Sequence, residues 1–303
     1  MPIKNNKIVV VFLCCLLTCA VYADEPQVPP SETAPSSESA IDRRIILERK
    51  TFDNPFVITP HRPNYALLTY TESPNHAPVT ELDQQLQKVE IKFQFSAKVE
   101  LARELFNNNG YLFVAYTQQA FWQAFNSSIS APFRDTNYEP EMFLTFLTNY
   151  PFLGMKTRII NFGINHQSNG QSGSLSRSWN RLFAEFIFEK DHLYLSVKPW
   201  WRIPESAKSE GDPTGDDNPD ITDYMGYGEI TGLYELNRHR LGFMLRNNLT
   251  IPNKGAVQLD WSLPLQNKVR GYVQFFSGYG ESLLDYNYYN NRIGVGVMLI
   301  DWL

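Results

Sequence analysis

A histidine, a serine and an asparagine fall within one short stretch of this chain: His166, Ser168 and Asn180. A serine hydroxyl becomes a nucleophile when a neighbouring base takes its proton, and the base needs a third group to hold its tautomer and steady its charged form. Ser168, His166 and Asn180 can fill those roles in that order, which makes them a candidate hydrolase triad. Asparagine supplies the orienting hydrogen bond without a negative charge, as in the Cys-His-Asn proteases. The spacing alone is a weak signal, since a His and a Ser two apart recur by chance and polar residues near a strand end are often loop margin.

The elements around these residues decide which way they face. On a strand, His166 and Ser168 point to one side. The Gly/Ser-rich stretch Asn169 to Arg177 is of the kind that closes hairpins, and it could return Asn180 on the neighbouring strand beside the histidine. Ile160, Phe162 and Ile164 share the parity of His166 and Ser168, while Asn161, Gly163, Asn165 and Gln167 have the other. Downstream, Leu182, Ala184, Phe186 and Phe188 share the face of Asn180, with Arg181 and Glu185 opposite. A reactive set on an apolar face suits a lipid substrate.

Short alternating segments rich in Tyr, Phe and Trp recur along the chain, as expected of a transmembrane barrel. Val89, Ile91, Phe93 and Phe95 alternate with Glu90, Lys92 and Gln94, and Val257, Leu259 and Trp261 alternate with Gln258 and Asp260. A soluble β-sandwich has the same period. Candidate strands cover roughly 64–72, 88–97, 110–122, 139–148, 157–168, 178–189, 192–202, 223–235, 239–250, 255–264, 268–278 and 291–302. That even count fits an all-β, twelve-stranded antiparallel transmembrane β-barrel with both ends on one side. The tight turns near Lys190, Asn237 and Gln266 then fall on the periplasmic side, and the segments around Ser130, 169–177 and 205–220 on the outer side. Trp200, Trp201, Trp261 and Trp302 read as membrane-interface anchors.

Residues 1–23 read as a secretory signal: Lys4 and Lys7, an apolar core from Ile8 to Ala20, and Val21-Tyr22-Ala23 as the cleavage site. Residues 24–42, rich in Pro, Ser and Glu, read as a mobile leader, and 43–303 as the barrel domain. Cys14, Cys15 and Cys19 all lie in the signal, so the mature chain has neither a disulfide nor a thiol nucleophile. Losing two lysines and no acids leaves 25 Lys and Arg against 32 Asp and Glu, so the net charge moves from −5 to −7. That balance argues against nucleic acid as a partner. Beyond the signal, no run of about 18 apolar residues occurs to form a membrane helix.

The segment NHQSNGQSGSLSRSWNR, Asn165 to Arg181, resembles the active-site segment of the outer membrane phospholipase A family. The resemblance extends over nearly the whole mature chain, through Asp53-Asn54-Pro55-Phe56, Tyr116-Thr117-Gln118, Thr136-Asn137-Tyr138-Glu139-Pro140, Asn218-Pro219-Asp220-Ile221-Thr222 and Ser277-Gly278-Tyr279-Gly280-Glu281-Ser282. It implies hydrolysis of phospholipid and lysophospholipid acyl esters in the bacterial outer membrane, with Ser168 as nucleophile, His166 as base and Asn180 as orienter, through an acyl-serine intermediate. It also implies Ca2+ as cofactor, held by the Gln171 carbonyl, the Ser176 hydroxyl and the Ser130 carbonyl of a second subunit, with Asp217 as an associated acid. The active state is then a homodimer, with Gln118 helping to hold it together. Gln167 and Gly173 stand where the best-known members carry acids, which bears on calcium affinity.

Two other classes compete. A non-enzymatic barrel, a channel or a surface binder, keeps the hairpin for structure alone. A barrel enzyme of other chemistry needs a different histidine, yet none of His61, His76, His192 and His239 has a serine two residues on.

Overall fold

The computed structural model describes residues 39–300 except 52–53, 55–56, 79–84, 209–214 and 267. The signal segment, most of the leader, Trp302 and part of the Asp53–Phe56 motif lie outside these. The chain runs through helix α1 (Ala40–Thr51), a two-residue strand β1 (Thr59–Pro60), then β2 (Asn64–Thr71), β3 (Val89–Ala102), β4 (Tyr111–Trp122) and β5 (Phe133–Phe152). The hairpin β6 (Met155–Ser168) and β7 (Ser178–Lys190) follows, then β8 (Leu193–Ile203) and a short helix α2 (Ile221–Met225). The last strands are β9 (Gly228–Leu236), β10 (His239–Asn247), β11 (Gly255–Gln266), β12 (Val269–Tyr279) and β13 (Tyr289–Ile300).

Each strand from β2 to β13 pairs antiparallel with its sequence neighbours, and β13 pairs with β2, closing a twelve-stranded barrel to which β1 adds two residues. Closure matters because unpaired strand edges have no hydrogen-bond partner in hydrocarbon. No helix among the described residues is long and apolar enough to cross a membrane; the strands make the crossing.

Burial is inverted relative to a water-soluble protein. Phe95, Phe162, Ile164, Leu182, Leu259 and Val295 are exposed on the outer wall, while Glu90, Lys92, Arg134, Glu139, Glu141, Arg181 and Arg292 are buried in the lumen. The lumen charges are matched. Glu141 accepts from Arg62, Lys198 and His61 at 3.0, 2.9 and 2.9 Å, and Glu281 accepts from Lys92 and Arg292 at 3.1 and 2.8 Å. Inside the barrel an aromatic cluster of Phe113, Phe143, Trp179, Phe183 and Trp200 packs with Ile221 and Met225 from the β8–β9 connection and Leu283 from the β12–β13 connection.

Four features differ from the sequence expectation. The boundary placed at residue 42 falls inside α1, whose Ala40 and Ile41 are buried against Ile187 and Tyr194. α1 also docks through Glu48 on Lys98 at 3.0 Å and Arg49 on the Tyr111 hydroxyl at 3.2 Å. The strand expected from 223 begins at Gly228, because residues 221–225 turn helical against the aromatic cluster. β5 is twenty residues long, since Asp135 and Asn137, which resemble loop residues, face the polar lumen and continue the ladder, while Arg134 bulges out of the register and is buried against Glu90 and Asp285. Trp200 is not a membrane anchor. Adjacent strand residues face opposite sides, so Trp201 is 55% exposed outward whereas Trp200 is 6% exposed and packs edge-on against Trp179.

Candidate active site

β6 and β7 run in continuous register through the region of interest, with Ile164 opposite Leu182, His166 opposite Asn180 and Ser168 opposite Ser178. Directly opposed residues on an antiparallel pair have side chains on one face, close enough to interact. His166 Nδ1 and Asn180 Oδ1 are 2.8 Å apart. An amide oxygen only accepts, so this contact requires the proton on Nδ1 and leaves Nε2 free as a base. Ser168 sits two residues beyond His166 on the same face, half-buried at the strand end. No hydrogen bond joins its hydroxyl to the imidazole in this structure; such bonds often lengthen in resting enzymes and close with substrate.

The face is the outer one. Phe162, Ile164 and Leu182, the nearest same-face neighbours of His166 and Asn180, are 49%, 46% and 46% exposed. Behind them, on the lumen side, Asn165, Arg181 and Trp179 are buried. Gln167 belongs to that side too, its amide oxygen accepting from Trp179 Nε1 at 2.8 Å and Arg181 at 3.2 Å. Gln167 is therefore committed to the lumen network rather than aimed at the loop.

Asn169 braces the connection 169–177 from within, and Arg177 adds bonds to the Ser174 and Ser176 carbonyls at 2.9 and 2.6 Å. Asn169 donates to the Leu175 carbonyl at 2.8 Å and accepts from the Gln171 and Arg177 amides at 3.3 and 2.9 Å. Gly170 and Gly173 both take left-handed φ, 65° and 63°. At Gly170 an added Cβ would meet the Tyr138 ring at 3.0 Å, whereas at Gly173 it would meet nothing within 4 Å. An acid at position 173 would thus have room, at the cost of a strained backbone.

The calcium candidates separate into two groups. Ser176 and Asp217 come together, the hydroxyl donating to Asp217 Oδ2 at 2.5 Å. Asp217 also pairs with Lys208. Burial opposes its charge, but Lys208, Ser176 and Arg177 outweigh that and hold the carboxyl below its ordinary value. Asn218, next in the chain, accepts from the Ser178 amide at 3.0 Å and so pins this connection to the start of β7. Gln171 is exposed on the same connection as Ser176. Ser130, exposed with a left-handed φ of 62°, lies between β4 and β5 at the same end of the barrel but on another connection. These groups are hard oxygens, the donor type calcium prefers, and the Ser176–Asp217 oxygens already attract a cation in Lys208. Their donor chemistry suits the ion.

Gln118 faces outward, half-exposed, beside Tyr116, whose hydroxyl donates to Gln118 Oε1 at 3.1 Å. Sequence reasoning passed over two residues at the site, Glu205 and Lys208. Glu205 Oε1 accepts from Asn180 Nδ2 at 3.1 Å. Both lie in a stretch whose acidity reads as solvated loop.

A closed barrel with a polar, ion-paired lumen and a histidine–asparagine pair on its apolar outer wall defines a class: integral outer-membrane barrels that work on the lipid side. Within that class the sequence matches the family profile described as Phospholipase A1 over residues 41–299. It is 41% identical to Phospholipase A1 of Escherichia coli strain K12, over 94% of this chain and 95% of that protein. The structure resembles the calcium-bound outer membrane phospholipase dimer of Salmonella typhi, with a TM-score of 0.77, 41% identity and coverage of 83% and 95% of the two chains. It also resembles an E. coli outer membrane phospholipase A whose active-site asparagine is replaced by alanine, with a TM-score of 0.77, 40% identity and coverage of 86% and 98%. The chain belongs to the phospholipase A1 family, and it is a phospholipase of the bacterial outer membrane.

Proposed function

We propose that this protein hydrolyses phospholipid and lysophospholipid acyl esters at the outer leaflet with Ser168, His166 and Asn180, and that it does so as a calcium-dependent homodimer. The observation that carries this is the 2.8 Å His166–Asn180 contact on a lipid-facing wall, two residues from a serine. His166 Nε2 takes the Ser168 proton as the oxygen attacks the ester carbonyl. The tetrahedral centre collapses by expelling the lipid alkoxide, which leaves with the proton from His166. Water then attacks the acyl-serine through the same base, releasing a fatty acid and restoring Ser168. Asn180 holds the imidazole through both steps.

Calcium, bound by the Gln171 carbonyl, Ser176, Asp217 and the Ser130 carbonyl of a second subunit, would supply positive charge for the developing oxyanion. The calcium-bound Salmonella dimer supports both cofactor and oligomer, and the E. coli active-site asparagine supports the role of Asn180. Gln118 supports the dimer because Tyr116 takes only its oxygen, so a second subunit can satisfy its amide N–H groups, which are costly to leave unpaired in lipid. The ion-paired lumen and the docked α1 disfavour a channel. Residues 1–23 as signal and 24–39 as leader complete the proposed organisation, with residues 40–303 forming the catalytic domain.

The test is fatty-acid release from mixed detergent–phospholipid micelles, with calcium and then with excess chelator, beside Ser168→Ala. Release should need both calcium and Ser168. Release by the pure Ser168→Ala protein would refute the nucleophile, and release undiminished by chelator would refute the cofactor.

A further inference from the structure

We propose that Glu205 is a positioning residue for the reaction, acting through Asn180; this rests on the triad reading above. The two ends of an asparagine amide are chemically opposed, and only one orientation serves the histidine. With Oδ1 toward His166, the imidazole carries its proton on Nδ1 and Nε2 is left unprotonated as a base. With the amide reversed, an N–H would face Nδ1, the proton would move to Nε2, and the base would be lost. An Asp in this position could not reverse; an Asn can.

Glu205 removes the choice. Its carboxylate, which can only accept, meets Asn180 Nδ2 at 3.1 Å. Turning the amide over would set its oxygen against that carboxylate. The same contact puts a negative charge one hydrogen bond behind the neutral amide, supplying at second hand the charge that asparagine lacks when the imidazolium forms.

The chain places Glu205 there by simple register. Ile203, the last residue of β8, pairs with Asn180. Pro204 has no N–H with which to continue the ladder, and Glu205 falls two residues beyond Ile203, on the parity of Asn180. Its charge is also uncommitted. Asp216 pairs with Arg202 at 2.6 Å and Asp217 with Lys208, whereas among the described residues Glu205 makes no ion pair.

The experiment compares Glu205→Gln, Glu205→Ala, Asn180→Ala and the Asn180→Ala/Glu205→Ala double variant, with Ser168→Ala as the separate control on the triad. Folding is checked by heat-modifiable migration and calcium affinity by titration calorimetry. A Gln can still accept from Asn180, so Glu205→Gln isolates the charge; we expect kcat lower by about three- to tenfold with KM unchanged, and about tenfold to a hundredfold lower in Glu205→Ala. In the Asn180→Ala background the second change should cost less than about twofold, because the group through which Glu205 acts is already gone. Wild-type kcat in Glu205→Ala, full multiplicative loss in the double variant, or a weakened calcium affinity that accounts for the loss would each overturn the role. Activity retained by Ser168→Ala would instead overturn the triad.

Discussion

The hairpin β6–β7 carries two polar groups of residues back to back, and they are built in opposite ways. On the lumen side, Arg181 donates to Asn165 at 2.5 and 3.1 Å, to Glu139 at 2.9 Å and to Gln167 at 3.2 Å, and its guanidinium lies 4.1 Å over the Trp179 ring. On the lipid side, among the described residues, His166 makes one side-chain hydrogen bond, to Asn180, and Asn180 one more, to Glu205. The lumen network is overdetermined, and the outer set hangs on single bonds. Rigidity and reactivity are thus separated across the thickness of one β-ribbon: the buried side fixes the strands, and the exposed side stays open to substrate.

That contrast can be broken from either face. Replacing Ser168 or His166 with Ala should lower phospholipid hydrolysis by about 10^4-fold or more while leaving the thermal transition within a degree or two, since neither residue is bonded to the lumen network. A matching fall in stability would show that the two faces are not separate. Asn180→Ala should cost less than either, because it orients the base and does no bond-making. From the other side, Arg181→Met leaves Glu139 and Asn165 short of a partner in a buried network, a change expected to destabilise by about 3–5 kcal/mol. Its denaturation midpoint should fall while kcat, measured where the barrel is folded, changes far less.

Smaller effects sharpen the picture. Gln118→Leu should weaken detergent dimers by about 0.6–2 kcal/mol, read by sedimentation equilibrium or cross-linking with calcium present, without altering the monomer's stability. The docking of α1 should depend on acid. Burial raises the Glu48 carboxyl, but Lys98 and Arg44 hold it down to about 2 against an ordinary 4.5. A depressed acid stabilises the folded state fully above its unfolded value and loses that contribution as pH falls through the folded one. Protection of residues 40–51 against hydrogen exchange, taken relative to the unfolded-chain rate at each pH, should therefore hold above pH 4.5 and fall between there and about pH 2. Unchanged protection across that window would show that the Glu48–Lys98 pair is not what keeps the helix in place.

Much of this arrangement is legible in the sequence because a strand repeats every two residues. The parity of Phe162, Ile164, His166 and Ser168 puts the histidine and serine on the apolar face, which the closed barrel turns outward. What escapes is whatever depends on contacts across a connection. Glu205 reaches Asn180 from the end of β8, twenty-five residues on, and nothing in its neighbours marks it as different from the acids around it. Helix α1 escapes because RRIILERK is an ordinary mixed segment whose fate is set by the Ile187–Tyr194 surface it meets. Trp200 and Trp201 show the opposite failure, where residue type suggests one role for both and strand geometry forbids it.

The central claim is that the lipid-facing side of the β6–β7 hairpin does the chemistry. A long-chain alkylphosphonate offered to the folded dimer in calcium, followed by peptide mass mapping, tests it most directly. A single adduct on Ser168, formed with calcium and lost in His166→Ala, is the expected result. Hydrolysis of phospholipid that continues with Ser168 unlabelled, or an adduct on any other residue, would contradict it.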